Sequence, residues 1–149
     1  MSQDQTPDDF DWVVAQSKCS AASMFARLQT GVKEDVRRRN GLGLLGRDDG
    51  WTFEFQAESG DEFEVSRVEA SGVMDSTDAT LALVRFERAG RRIHVHGDGV
   101  DVEFTAVVSL DVAGVCRLVV GEAMYSEWEI RRMALEQLFF EEEEEEVSD

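Results

Sequence analysis

Residues 92–114, RIHVHGDGVDVEFTAVVSLDVAG, decide how this chain is read. Gly97-Asp98-Gly99 and Asp111-Val112-Ala113-Gly114 supply residues that tolerate positive φ. Between them Val100, Val102, Phe104, Ala106 and Val108 alternate with Asp101, Glu103, Thr105 and Ser109. A period of two sends one set to a dry face and the other to water, the pattern of a half-buried antiparallel strand. Upstream, Ile93 and Val95 alternate with His94 and His96 in the same way.

Working outward, Ser59-Gly60-Asp61 and Ala89-Gly90 are further turn signals, and Trp51, Phe53, Phe55 and Ala57 oppose Thr52, Glu54, Gln56 and Glu58. This punctuation predicts six antiparallel strands between Trp51 and Gly121. On the amino-terminal side, Ala21, Phe25, Leu28, Val32 and Val36 recur at three- and four-residue steps, which predicts one amphipathic helix. Ser20 is its expected N-cap, Asn40-Gly41 its expected left-handed end, and Gly31 falls on its solvent side. Before it, Phe10, Trp12 and Val14 alternate around Asp11 and Val13 and read as a short strand.

At the other end, Ser126-Glu127-Trp128-Glu129 has capping-box spacing and opens a second helix that runs at least to Phe140. Ile130, Met133, Ala134 and Leu138 form one apolar stripe, and Trp128, Leu135 and Phe139 a second about a third of a turn away. One sheet face does not easily cover both. Trp128, Leu135 and Phe139 are therefore the expected interface of a homo-oligomer, with Arg131 between the stripes and in need of a carboxylate partner if buried. The chain divides into a disordered lead over 1–9, one α+β domain over 10–140 and an acidic disordered tail over 141–149.

The order strand, helix, six antiparallel strands, helix resembles the helix-grip superfamily of START-like and polyketide-cyclase-like proteins. In these a curved sheet wraps a long C-terminal helix around a cavity. The resemblance covers most of residues 10–140 and rests on element order. It departs where that superfamily has two short helices after the first strand. It implies a carrier of a small apolar ligand or lipid and carries over no functional residue; the dry sheet face and the C-terminal helix themselves offer Trp51, Phe53, Phe55, Phe104 and Met133 as the expected ligand contacts.

Composition narrows the function classes. The 149 residues hold 15 Lys+Arg against 32 Asp+Glu, for a net charge of −17. Glu141–Glu146 and Asp149 account for seven of these charges and leave −10 on residues 1–140. Such a surface repels phosphate backbones and anionic headgroups, so neither nucleic acid nor a membrane surface is an expected partner, whereas a basic protein is. The acid excess and the scarcity of lysine, only Lys18 and Lys33, suit a high-salt cytoplasm and ordinary solubility alike. No apolar run approaches the roughly 18 residues of a membrane span. The polar, acidic Met1–Phe10 has no signal-peptide pattern, so a cytoplasmic location is expected, with Cys19 and Cys116 reduced and buried.

The chemical motifs are sparse. Gly41-Leu42-Gly43-Leu44-Leu45-Gly46 spells G-x-G-x-x-G, but a helix precedes it and a strand follows, the reverse of a dinucleotide site. His94, His96 and Asp98 share one face of an extended strand and could hold a divalent metal, which makes a metal-assisted enzyme a third reading after interaction module and carrier. They are the only histidines, and Gly99 stands where a binuclear hydrolase pattern needs the next one. There is no G-x-S-x-G elbow. The sequence thus points to a non-enzymatic binding module without a cofactor.

Overall fold

The computed structural model describes residues 10–42, 51–69 and 80–140. Among them lie three helices, α1 (Trp12–Lys18), α2 (Ala21–Leu42) and α3 (Glu127–Phe140). The seven strands are β1 (Trp51–Ser59), β2 (Glu62–Glu69), β3 (Thr80–Ala89), β4 (Arg92–Asp98), β5 (Glu103–Leu110), β6 (Cys116–Val120) and β7 (Ala123–Tyr125). All pair antiparallel in sequence order, so the sheet is a meander with β1 and β7 at its edges. The expected α+β class, with a curved antiparallel sheet against a C-terminal helix, is the observed one. The disordered lead and the acidic tail expected over residues 1–9 and 141–149, and Gly43 to Gly46 of the glycine motif, lie outside the described residues.

Register makes one face of the sheet apolar. Val65 pairs with Val84, Phe63 with Phe86, Phe86 with Val95, Ile93 with Ala106, and Val108 with Leu118, so buried side chains of successive strands fall opposite one another. Both long helices cover this face, α2 through Met24, Phe25, Leu28, Val32 and Val36, and α3 through Ile130, Ala134 and Leu138. Phe63 sits at the centre, stacked 4.6 Å from Phe86 and 5.1 Å from Phe25 between ring centroids. Burying each such ring stabilises by about 1.5–3 kcal/mol. The turn glycines behave as expected at Gly90 and Gly114, whose φ values of 63° and 83° a side chain would strain.

Several local expectations are replaced. Residues 12–18 are a helix rather than a strand, because Asp11 Oδ1 accepts the Val14 N–H at 3.1 Å and caps it. A short strand, β7, adds to the six expected. Asn40 and Gly41 do not end α2 in a left-handed turn, since the helix runs on to Leu42 and no non-glycine residue among those described has positive φ. Asn40 instead donates to Phe53 O and accepts from Phe53 N, both at 2.9 Å, and so supplies one residue's worth of pairing to the open edge of β1. Gly31 faces α3 rather than solvent: a β carbon there would lie 2.6 Å from Arg131 Nε.

The expected pair of reduced thiols is also overturned. Cys19 and Cys116, 97 residues apart, are joined by a disulfide with a Cα separation of 5.3 Å. It ties the α1–α2 junction to the start of β6. No helix among the described residues is long and apolar enough to cross a membrane.

Candidate functional site

Helix α3 is pinned at both ends. At its start, Glu129 Oε1 accepts from the Ser126 backbone N–H at 2.8 Å and from the Ser126 hydroxyl at 3.1 Å. Those bonds, the backbone one foremost, hold the Glu129 carboxyl below its ordinary range. At its end, the last turn carries no basic residue of its own. The cations come from elsewhere: Arg39 donates to Phe139 O at 2.9 Å, and Arg67 donates to Leu138 O at 2.8 Å and Gln137 O at 3.2 Å. Arg67 stacks on Trp51, 3.9 Å from the ring centroid, and Arg39 lies 4.8 Å from that of Phe53.

These contacts place the expected ligand-binding residues. Trp51 and Phe53 are platforms for arginines, Phe53 is buried edge-on against Phe139, and Phe55 and Phe104 are half-buried against the core. Met133 lines a surface groove.

The expected interface divides. Leu135 and Phe139, 2% and 6% exposed, are core residues, so they do not present an outer stripe. The reason is α2, which covers the flank of α3 that the sheet leaves open. Arg131 crosses between the two helices. Its Nη1 donates to Asp35 Oδ2 and its Nε to Glu127 Oε2, each at 2.6 Å, so the carboxylate it needs comes from its own chain. Burial draws its pKa down, but the bonds to Asp35 and Glu127 outweigh that and leave it raised. Near the end of α2, Arg37 pairs with Glu34, Arg38 approaches Glu34 and Asp35, and Arg39 turns inward.

Trp128 does face water, 55% exposed, and so does Phe140, at 44%. Between them stand Arg132 and Glu136, exposed and 3.4 Å apart. Residues 128, 132, 136 and 140 follow a spacing of four and form one ridge along α3. A groove of about 340 Å³ runs along one side of it, with Asp35, Leu135 and Phe139 in its lining, and another of about 250 Å³ along the other, with Tyr125 and Met133. Reading α3 for stripes of apolar residues missed this ridge. The three four-residue steps from Trp128 through Arg132 and Glu136 to Phe140 are its signal.

The opposite sheet face carries the histidines. His94 and His96 stack with centroids 4.8 Å apart. His94 Nε2 lies 3.1 Å from Glu103 Oε2, and His96 Nε2 3.8 Å from Glu87 Oε1. Asp98 closes β4 opposite Leu83 and is not in the cluster, whose third donor is Glu87. Finding Glu87 requires the β3–β4 register, which the sequence alone does not give. No family model, no curated protein and no solved structure matches this chain.

Proposed function

We propose that the protein is a non-enzymatic interaction module that self-associates through the exposed ridge of α3. The observation that carries this reading is the order of that ridge: aromatic Trp128, cationic Arg132, anionic Glu136, aromatic Phe140. Reversed, it reads anion where it had cation and aromatic where it had aromatic. Two antiparallel copies related by a two-fold axis near residue 134 therefore set each Trp128 against the other copy's Phe140, and each Arg132 against the other copy's Glu136. A self-complementary patch of this kind is what an isologous dimer requires. The groove on either side gives the second ridge a place to lie, and Trp and Arg are the residues that most often anchor interfaces. Arg132 and Glu136 cancel, so the centre of the ridge carries none of the excess negative charge of the chain.

The test is charge reversal read by sedimentation velocity. The native chain should run as a dimer at moderate salt, and Arg132→Glu and Glu136→Arg should each be monomeric. Mixed in equal amounts, the two variants should form a heterodimer, because each supplies the charge that the other lacks. Equal masses for all three proteins alone, or no heterodimer from the mixture, would refute the arrangement.

The acidic surface leaves basic proteins as further partners in this reading. A carrier role has less support, since the rings of Phe25, Phe63 and Phe86 occupy the space between sheet and helices. Kinship with the helix-grip superfamily enters only as a likeness of layout. The Cys19–Cys116 bond weighs against a reducing cytoplasm and for a setting in which thiols oxidise.

A further inference from the structure

We infer that the outer face of the sheet holds a divalent transition-metal ion, with His94 and His96 of β4 and Glu87 of β3 as its protein ligands. This site lies on the face away from α3 and is independent of the self-association proposed above. Two features assemble it. Residues two apart on a strand share a face, which brings the imidazoles side by side. The register then sets Glu87 directly across from His94 and Glu103 directly across from His96, so the two rings stand between two carboxylates.

The donor atoms of Glu87, His94 and His96 all lie within 4.8 Å of one another. Bonds of about 2.0–2.2 Å to zinc put neighbouring donors roughly 3.4 Å apart in a tetrahedron. Closing that gap needs only side-chain rotation, and all three side chains are partly exposed and able to turn. The backbone beneath them is fixed, because β4 is an interior strand with ladders on both sides. Glu103, the most exposed of the four, is placed to accept from His94 and orient its ring, or to add a fourth oxygen.

Arg85, across from His96 on β3, lies within electrostatic reach of Glu87 but is bonded elsewhere. Its guanidinium is turned to β2, where it lies 2.9 Å from Glu64 and 3.6 Å from Glu62. The hydrogen bond to Glu64 raises its pKa and keeps that charge matched. Two imidazole nitrogens with one carboxylate suit zinc, nickel or copper, whereas magnesium and calcium take oxygen ligands. Three protein donors leave a position open to water or to a donor from another molecule.

Calorimetric titration of the full chain with zinc chloride tests this. One ion per chain should bind, and excess magnesium should not displace it. His94→Gln and His96→Gln should each weaken binding by about 100-fold or more, Glu87→Gln by about 10–100-fold, and Glu103→Gln by about tenfold. Unchanged thermal melts of the metal-free variants would show that these surface substitutions leave the fold intact. Absence of binding, displacement by magnesium, or zinc binding unaffected in a His94→Gln/His96→Gln double variant would overturn the proposal.

Discussion

Gly31→Ala places a methyl group where Arg131 now crosses α2. The new carbon would lie 2.6 Å from Arg131 Nε, 2.7 Å from Glu127 Oε2 and 2.8 Å from Arg131 Cδ, all well inside the roughly 3.5 Å at which carbon contacts become favourable. Arg131 must therefore shift by close to 1 Å, and its bonds to Asp35 and Glu127 cannot both survive the move. These side chains are about four-fifths buried, so losing the paired geometry costs about 2 kcal/mol after allowance for residual solvent screening. Alanine in a helix interior returns about 1 kcal/mol over glycine. The net expectation is a loss of about 1 kcal/mol in the native background and a gain of about 1 kcal/mol beside Arg131→Ala, where only the Glu127 carboxylate is left nearby and, freed of Arg131, can turn aside. The sign should reverse, with a coupling of about 2 kcal/mol. Urea unfolding followed by tryptophan fluorescence, at matched m-values, measures all four proteins. Equal stabilisation by Gly31→Ala in both backgrounds would show that Arg131 is not held over the glycine.

Asn40→Ala leaves the Phe53 amide and carbonyl without their partner, so it should cost about 1–3 kcal/mol and speed hydrogen exchange of the Phe53 N–H; protected exchange in the variant would contradict the edge role. Asp111 is held below its ordinary range by Arg117 first and by the Val115 and Ala113 N–H groups, so its stabilisation is complete above about pH 4 and is lost as pH falls through the lowered value. An Asp111→Asn chain should therefore lose less stability between about pH 4 and pH 2 than the native chain, as acid titration by circular dichroism would show. Reducing the Cys19–Cys116 bond should cost about 4–5 kcal/mol, given a closed loop of 97 residues. A melting temperature unmoved by dithiothreitol would argue that the thiols are already open.

The parts of this fold that could be read in advance are those set by neighbours in the chain. The strand alternation, the turns at Gly90 and Gly114, the Ser126–Glu129 box and the Ser20 cap, whose hydroxyl accepts the Ser23 N–H at 3.0 Å, each involve residues a few positions apart. What escaped depends on distant partners. The three alternating residues Phe10, Trp12 and Val14 fit strand and helix alike, and the Asp11 cap decides between them. Gly31 gains its meaning from Arg131, a hundred positions away, and Cys19 from Cys116. Leu135 and Phe139 turn inward while Trp128 stays outward for the same reason: a stripe on α3 is outer or inner according to where α2 lies, which no periodicity within α3 encodes. The histidine pair was visible as a motif, but its third donor belongs to a neighbouring strand.

The disulfide closes a covalent ring from Cys19 to Cys116 that contains α2 and β1 through β5. Helix α3 is outside that ring, joined through β6 and β7 and held to the body by side-chain contacts alone. Were α3 displaced, or exchanged with the same helix of another molecule, the ring would stay shut. An oxidised protein would thus keep α2 and β1 through β5 linked through an exchange that a fully cross-linked chain could not undergo.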